Sequence, residues 1–342
     1  MMQETLQGGY RLNGQSSVKQ PGMPVVSVIT VVYNSLNLIE KTIRSITGQT
    51  YPNVEFIVID GGSTDGTPEI IRLYEDHVCY WISERDQGIY DAMNKGLAAA
   101  TGDYVWFMNA GDGIYSDDTL AKIFADDRSR AGSSEGPGQR AKIYYGDTMI
   151  VDTEYREIGL RRLRPPGVLT WKSFKKGMLV CHQAILVSRD IAAPFDPQYR
   201  HSADFDWVLK ALKKAEGRGQ KAEIRKKNQE SGIKGIGEPM TNPGLQAGDR
   251  GSMRSPGTGG GSSVSPDFRP GGTEPGWVQP IANTHLILCA FLDGGHSKRN
   301  IGISLRERFH SMVRHYGLVP TVLRHIPIAV RFGWYYLRNR RF

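Results

Sequence analysis

Two apolar, β-branched runs constrain this chain most: Val25–Tyr33 (VVSVITVVY) and Val54–Asp60 (VEFIVID), separated by a stretch of helical periodicity. Each run has the length of a strand buried on both faces, where no polar alternation is needed. Between them Leu38, Ile39, Thr42, Ile43 and Ile46 recur at helical spacing, with Ser35 placed to cap the start. The alternation continues with helices expected over 68–74 and 90–100, and strands over 78–83 and 104–109. Strands that alternate with helices imply right-handed crossovers, and therefore a parallel sheet covered on both faces. Ligands on such sheets bind beyond the carboxyl ends of the strands. Asn34, Asp60 and Asn109 end three of these strands and are the first candidates for a site.

Two segments break the pattern. Residues 128–141 (RSRAGSSEGPGQRA) read as a short flexible loop. Gly217–Gln279 holds 15 Gly and 6 Pro in 63 residues, without apolar periodicity, and cannot bury enough surface to offset its chain entropy. It reads as a disordered insertion, because an ordered pattern (IANTHLILCAFLDGG) resumes directly after it. The expected organisation is a disordered tail over 1–23, one α/β domain over 24–216 that is completed by 280–300, the insertion 217–279, and basic amphipathic helices over 301–342.

Charge is distributed unevenly. The net charge is +8, yet residues 297–342 alone carry ten Lys or Arg against one acidic residue, which leaves the body near neutral. Helices that mix arginine with apolar residues and with Trp334, Tyr335 and Tyr336 suit the surface of an anionic membrane. Packing on the protein's own body is the alternative. The absence of a recognised binding motif, together with the neutral body, argues against nucleic acid as a partner. There is no apolar run of the ~18 residues needed to span a bilayer, and no secretory pattern at the start. Three widely spaced cysteines (Cys79, Cys181, Cys289) read as reduced thiols. A cytoplasmic protein, peripheral on the inner face of the membrane, is the expectation.

Three motifs carry chemistry. In Asp60–Thr67 (DGGSTDGT) the glycines let the backbone turn tightly, and Asp60 can accept hydrogen bonds from a nucleobase or ribose, or organise an Asx turn. For Asp65 the turn is the simpler role. In Ser83–Gly96 (SERDQGIYDAMNKG) Arg85 and Asp86 precede a helix with Ile89, Met93 and Leu97 on one face. In Thr101–Asp112 (TGDYVWFMNAGD) an apolar strand runs out into Asn109 and Asp112, and a carboxylate there suits a hard cation carrying phosphate oxygens, or simply a turn.

Taken in this order, the three motifs resemble the nucleotide-binding half of the family 2 glycosyltransferases, which have the GT-A fold. The resemblance runs from about Pro24 to Ala215 and resumes over Ile281–Asn300; GIYDAMNKG and NAGD are similar to the branch that builds bacterial surface polysaccharides. It implies a Rossmann-like, mostly parallel sheet flanked by helices, with an extension on the acceptor side. Tyr33, Asn34, Asp60, Arg85, Asp86 and Asn109 are then expected around the nucleotide. Asp112 is expected to hold Mn²⁺ or Mg²⁺, with His296 in a mobile loop that reaches the diphosphate. The family's D-x-D-D appears here as Asn109-Ala110-Gly111-Asp112, and Gly61 stands where many relatives have Asp. Cys181-His182-Gln183 resembles a segment that faces the acceptor, although a structural role for His182 remains open. In HSADFDW, Asp204 and Asp206 lie about 200° apart around a helix, so only one can face the cleft. The family's E-D element aligns with Ala203-Asp204, which implies Asp204 as the general base. The implied activity is inverting transfer from a nucleotide-sugar donor, most commonly UDP-linked, to a glycan or lipid-linked acceptor. A catalytically inactive relative that binds nucleotide sugar or a partner protein is the alternative.

Overall fold

A computed structural model describes residues 5–15, 19–130, 140–230, 280–293 and 300–326. The strands are β1 (Leu6–Gly8), β2 (Val26–Val32), β3 (Val54–Asp60), β4 (Tyr80–Ser83), β5 (Tyr104–Phe107), β6 (Gly113–Ile114), β7 (Ile143–Val151), β8 (Glu157–Leu160), β9 (Ile185–Ser188) and β10 (Ile281–Leu292). They join in the order β1-β4-β3-β2-β5-β9-β7-β10-β6, with β8 paired on β7. From β4 to β5 every pairing is parallel. Beyond β5 the sheet is mixed, with β9 antiparallel to both β5 and β7 and β10 parallel to β7.

The parallel half follows from the apolar runs. All seven residues of β2 are buried, its five aliphatic side chains together with Ser27 and Thr30. Helices α1 (Leu36–Thr47), α2 (Thr67–Leu73) and α3 (Ile89–Ala99) link these strands. Helix α1 buries Ile39, Thr42, Ile43 and Ile46, the stripe read from its spacing. Helix α3 lies so close to β2 that a Cβ on Gly96 would fall 2.3 Å from a methyl of Ile29. Only glycine fits there, so the last residue of GIYDAMNKG serves the fold.

Helix α4 (Thr119–Arg130) follows β6, and α5 (Ala203–Glu230) follows β9. Phe205, Val208, Leu209 and Leu212 of α5 are buried as expected. The backbone of α5 stays helical through Glu230, past Gly217 where composition placed the start of the insertion. Helix α6 (Ile301–Tyr316) packs on α5 and buries Ser304, Ser311 and Met312. Part of the basic tail therefore covers the protein's own body.

The N-terminal segment is a correction. Residues 1–23 were expected to be disordered, but β1 pairs antiparallel with β4 and the chain continues into a 3₁₀ turn over Tyr10–Asn13. Its anchor is Arg11, which donates to Glu55 (2.6 Å) and to the Ala99 carbonyl (2.8 Å). Burial pushes the Glu55 carboxyl upward, but hydrogen bonds from Ser27 and Thr101 and the Arg11 charge outweigh it and hold the pKa below the usual value. A buried carboxylate that needs a cation gives a polar segment a fixed place that composition does not reveal.

Candidate active site

The side of the cleft expected to take the sugar nucleotide is built at the carboxyl ends of β2, β3 and β4. Tyr33, just past β2, is 64% exposed. Asn34 follows at φ 45°, a left-handed conformation that Asn tolerates better than most residues. Its side-chain oxygen accepts from Thr64 N–H (3.0 Å), while its own N–H donates to Ser63 Oγ (2.7 Å). Asp60 is fully buried. Its carboxylate accepts from the Ser63 N–H and hydroxyl and from the Ser83 hydroxyl, so it organises the turn. Asp65 also has a turn role. It accepts from Thr67 N–H and, across the loop, from Leu36 N–H at the start of α1. Ser35 occupies the expected capping position, but its hydroxyl donates to the Tyr33 carbonyl and makes no cap.

Asp86 lies on the same wall. A Cβ on Gly61 would fall 2.5 Å from Asp86 Oδ2 and 3.4 Å from Tyr33 Cδ2. The space that a side chain at position 61 would occupy is thus filled by the Asp86 carboxylate, whose other oxygen accepts from Gly88 N–H. Asp86 is half-buried, and Arg85 is exposed.

Next to it, the turn after β5 carries Asn109 and Asp112. Three side chains from outside hold this turn. Thr42 donates to the Asp112 carbonyl (2.6 Å) and accepts from Gly111 N–H (3.0 Å). Ser45 accepts from Ile114 N–H (3.1 Å). Tyr155, at the β7–β8 turn, donates to the Gly111 carbonyl (2.7 Å) and is itself left-handed, at φ 63°. Asp112 is buried, with Oδ1 accepting from Leu292 N–H (3.0 Å) and Oδ2 from the Gln183 amide (2.8 Å). Burial raises its pKa to about 6, against the opposing effect of those two donors and of His182. Among the described residues, Asn109 Oδ1 is a buried oxygen with no partner.

The acceptor side comes from much later in the chain. His182 is buried, with Nδ1 3.4 Å from Asp204 Oδ2 and Nε2 3.5 Å from the Asn109 amide nitrogen. Tyr90, from α3, donates to Asp204 Oδ1 (3.2 Å). Burial drives the Asp204 pKa up, but the His182 hydrogen bond and charge, with Arg308, hold it below the ordinary value. Gln183 requires a correction. It was expected at the acceptor, but its amide donates to Asp112, its side-chain oxygen accepts from the Cys181 thiol, and its carbonyl accepts from Trp106. It ties the two walls together and is only 2% exposed.

Asp206 turns away from the cleft. It is fully buried between Lys210 (2.6 Å) and His315 of α6 (2.7 Å), with Ser311 at 3.2 Å. Burial opposes its charge, but His315 and Lys210 prevail and lower its pKa to about 2. The two aspartates of HSADFDW therefore face different surroundings, Asp204 with His182, Tyr90 and Asn109, and Asp206 in the α5–α6 interface. His296 lies outside the described residues. Sequence reasoning missed Tyr90, Tyr155, Thr42 and Ser45. Only Tyr90 carried a signal, as the tyrosine inside GIYDAMNKG. All three cysteines are free and buried, and burial pushes the Cys181 thiol up to about 12.

With this geometry in view, comparison with known proteins is informative. The sequence pattern of Glycosyl transferase family 2 matches residues 27–134. An uncharacterized glycosyltransferase of Mycobacterium tuberculosis is 34% identical over 193 residues, covering 55% of this chain and 69% of that protein. A putative teichuronic acid biosynthesis glycosyltransferase of Bacillus subtilis is 31% identical over 198 residues, covering 56% and 73%. Among solved structures, Staphylococcus aureus TarS overlays with a TM-score of 0.41 at 20% identity, and the chain spans 55% of its own length and 33% of that one.

Proposed function

Because the chain belongs to the family 2 glycosyltransferases, we propose that it moves a sugar, with inversion, from a nucleoside-diphosphate donor to a hydroxyl of a glycan or lipid-linked acceptor in surface-polysaccharide synthesis. The observation that carries this reading is the linked set Tyr90–Asp204–His182–Asn109, joined to Asp112 through Gln183. It brings a carboxylate fitted to take a proton next to the turn fitted to face a diphosphate. Tyr33 and Asp86 would receive the nucleoside, UDP-linked as is commonest in the family. The acceptor class is supported by the name of the Bacillus relative.

In this reading Asp204 is the general base. Its lowered pKa keeps it ionised at neutral pH, and its two oxygens are oriented by Tyr90 and His182. It takes the proton of the acceptor hydroxyl as that oxygen attacks the anomeric carbon and the nucleoside diphosphate leaves. A positioned base of this kind contributes ~10²–10⁴ in rate.

A divalent cation, Mn²⁺ or Mg²⁺, fits the residues present. Each Asp112 oxygen accepts one hydrogen bond and keeps further lone-pair capacity, and Asn109 Oδ1 is a second oxygen in the same turn without a partner. Two protein oxygens, completed by phosphate oxygens and water, suit a hard cation. Once bound, the cation neutralises charge on the diphosphate leaving group. The raised pKa of Asp112 reflects a carboxylate buried without a cationic partner of its own.

The test is release of nucleoside diphosphate from a panel of sugar nucleotides, led by UDP-sugars, with Mn²⁺ or Mg²⁺ and extracted membrane lipids. Metal-dependent release from one donor that disappears in Asp112→Ala and Asp204→Asn is the expected result. Nucleotide binding without release across the panel would point instead to an inactive, binding-only relative.

A further inference from the structure

A second feature lies away from the cleft, at the C-terminal end of the described chain. Residues 318–326 are helical, and their amphipathicity is inverted. At 100° per residue, Leu318, Val319, Val322, Leu323 and Ile326 fall on one arc, and all five are exposed, Val319 at 66% and Leu323 at 62%. The strip beside this arc, around Thr321 and His325, faces the body. Thr321 is buried, and the His325 ring meets Phe309 of α6 edge-on at 5.2 Å. A helix seated through Thr and His while five large aliphatic side chains face outward leaves its most hydrophobic surface uncovered.

The surroundings are basic. Arg306 and His310 are exposed on one line of α6, four residues apart, and Arg314, next on that line, pairs with Asp196 (2.7 Å). Glu307, the one acidic residue of 297–342, is turned inward to accept from the backbone N–H groups of Arg200 and His201. The chain then runs from Pro327 to Phe342 with Arg331, Arg338, Arg340 and Arg341, three further aromatic side chains at 334–336, and no acidic residue. Exposed aliphatic ridge, exposed Arg306 and cationic aromatic continuation together match the interface of an anionic bilayer, which takes up apolar side chains and attracts arginine. A second copy of this chain would oppose like charges across the same face.

We propose that the 318–326 helix is a membrane-docking face that lays Leu318, Val319, Val322, Leu323 and Ile326 into the surface of an anionic lipid bilayer, with Arg306 at the headgroups. The test is co-sedimentation of the full chain with phosphatidylglycerol–phosphatidylcholine vesicles and with pure phosphatidylcholine vesicles, at low and high salt. Wild type is expected to bind the anionic vesicles, and less well at high salt. Val322→Glu with Leu323→Glu is expected to weaken that binding by ~tenfold or more. Arg306→Glu should weaken the preference for anionic lipid. All three positions are exposed, so circular dichroism of the variants should match wild type. Failure of wild type to sediment with anionic vesicles would overturn the proposal, as would binding unchanged in Val322→Glu/Leu323→Glu. A wild-type dimer that these two substitutions dissociate would overturn it too, because a second copy would then cover the face. Lipid binding is read without any sugar nucleotide, so it stands or falls apart from the transferase assignment.

Discussion

The two walls of the cleft are wired with different chemistry. On the nucleotide wall, Asp60, Asn34 and Asp65 are held by serine and threonine hydroxyls and by backbone N–H groups, all from within about one βα unit. On the acceptor wall, Asp204 is held by His182 and Tyr90 from other elements, and behind it on the same helix Asp206 is held by Lys210, four residues on, and by His315 of α6. Neutral partners fix geometry without responding to pH, whereas titratable partners set the charge of what they hold. In the proposed function the nucleotide wall is a preformed receptor, and the acceptor wall is where a proton would move and where charge stabilises the fold.

The sharpest way to break this comparison is to neutralise each aspartate of the acceptor wall. Asp204→Asn should lower kcat by ~10²–10⁴, with the KM for sugar nucleotide nearly unchanged. Steady-state kinetics decide it. A variant that keeps more than about a tenth of wild-type kcat would remove Asp204 from the role of base.

Asp206→Asn should do the reverse, sparing the chemistry and costing stability. The folded-state pKa is depressed to about 2, so its contribution is present above the unfolded value near 4 and is lost as pH falls towards 2. A shift of that size corresponds to ~2 kcal/mol at neutral pH. Denaturation midpoints of wild type and Asp206→Asn should differ at pH 7 and converge between pH 4 and pH 2. A constant gap across that range would mean that packing, not charge, is what Asp206 supplies.

Legibility followed the same division. Strand β3 begins and ends where its sequence implied, and β2 and α1 lie within a residue or two of expectation, because each is a local apolar pattern. Helical spacing put Asp204 and Asp206 on opposite sides of α5 but carried no information on which side was the cleft. That depends on His182 and Tyr90 on one side and on His315, more than 100 residues later, on the other. Gln183 was misplaced for the same reason: its partner Asp112 is 71 residues earlier, and nothing local marks the pair. Arg11 looked like part of a polar tail because the carboxylate it needs, Glu55, is hidden in a strand.

A smaller effect tests whether the turn between the walls is held from behind. Tyr155→Phe removes one hydrogen bond to the Gly111 carbonyl, worth ~1 kcal/mol. The expected outcome is a KM for sugar nucleotide raised ~fivefold with kcat within twofold. A loss of stability without any change in KM would make Tyr155 a packing residue only.

The smallest effect has the opposite sign to that of Asp206 and joins the two walls. Burial raises the pKa of Asp112 to about 6, so the folded protein holds this proton more tightly than the unfolded chain does. The ionised carboxylate therefore costs stability above pH 6, and the cost disappears below the unfolded value near 4. Asp112→Asn should raise the melting temperature of the ligand-free protein at pH 7.5, and the gain should vanish by pH 4. The amide still has to face the Gln183 and Leu292 donors with a single oxygen, so the net gain should stay under ~1 kcal/mol. The same substitution should abolish transfer, because the charge that costs stability in the empty cleft is the one a cation needs. A ligand-free Asp112→Asn protein less stable than wild type at pH 7.5 would show that the two hydrogen bonds outweigh the buried charge, and the carboxylate would then belong to the scaffold as much as to the site.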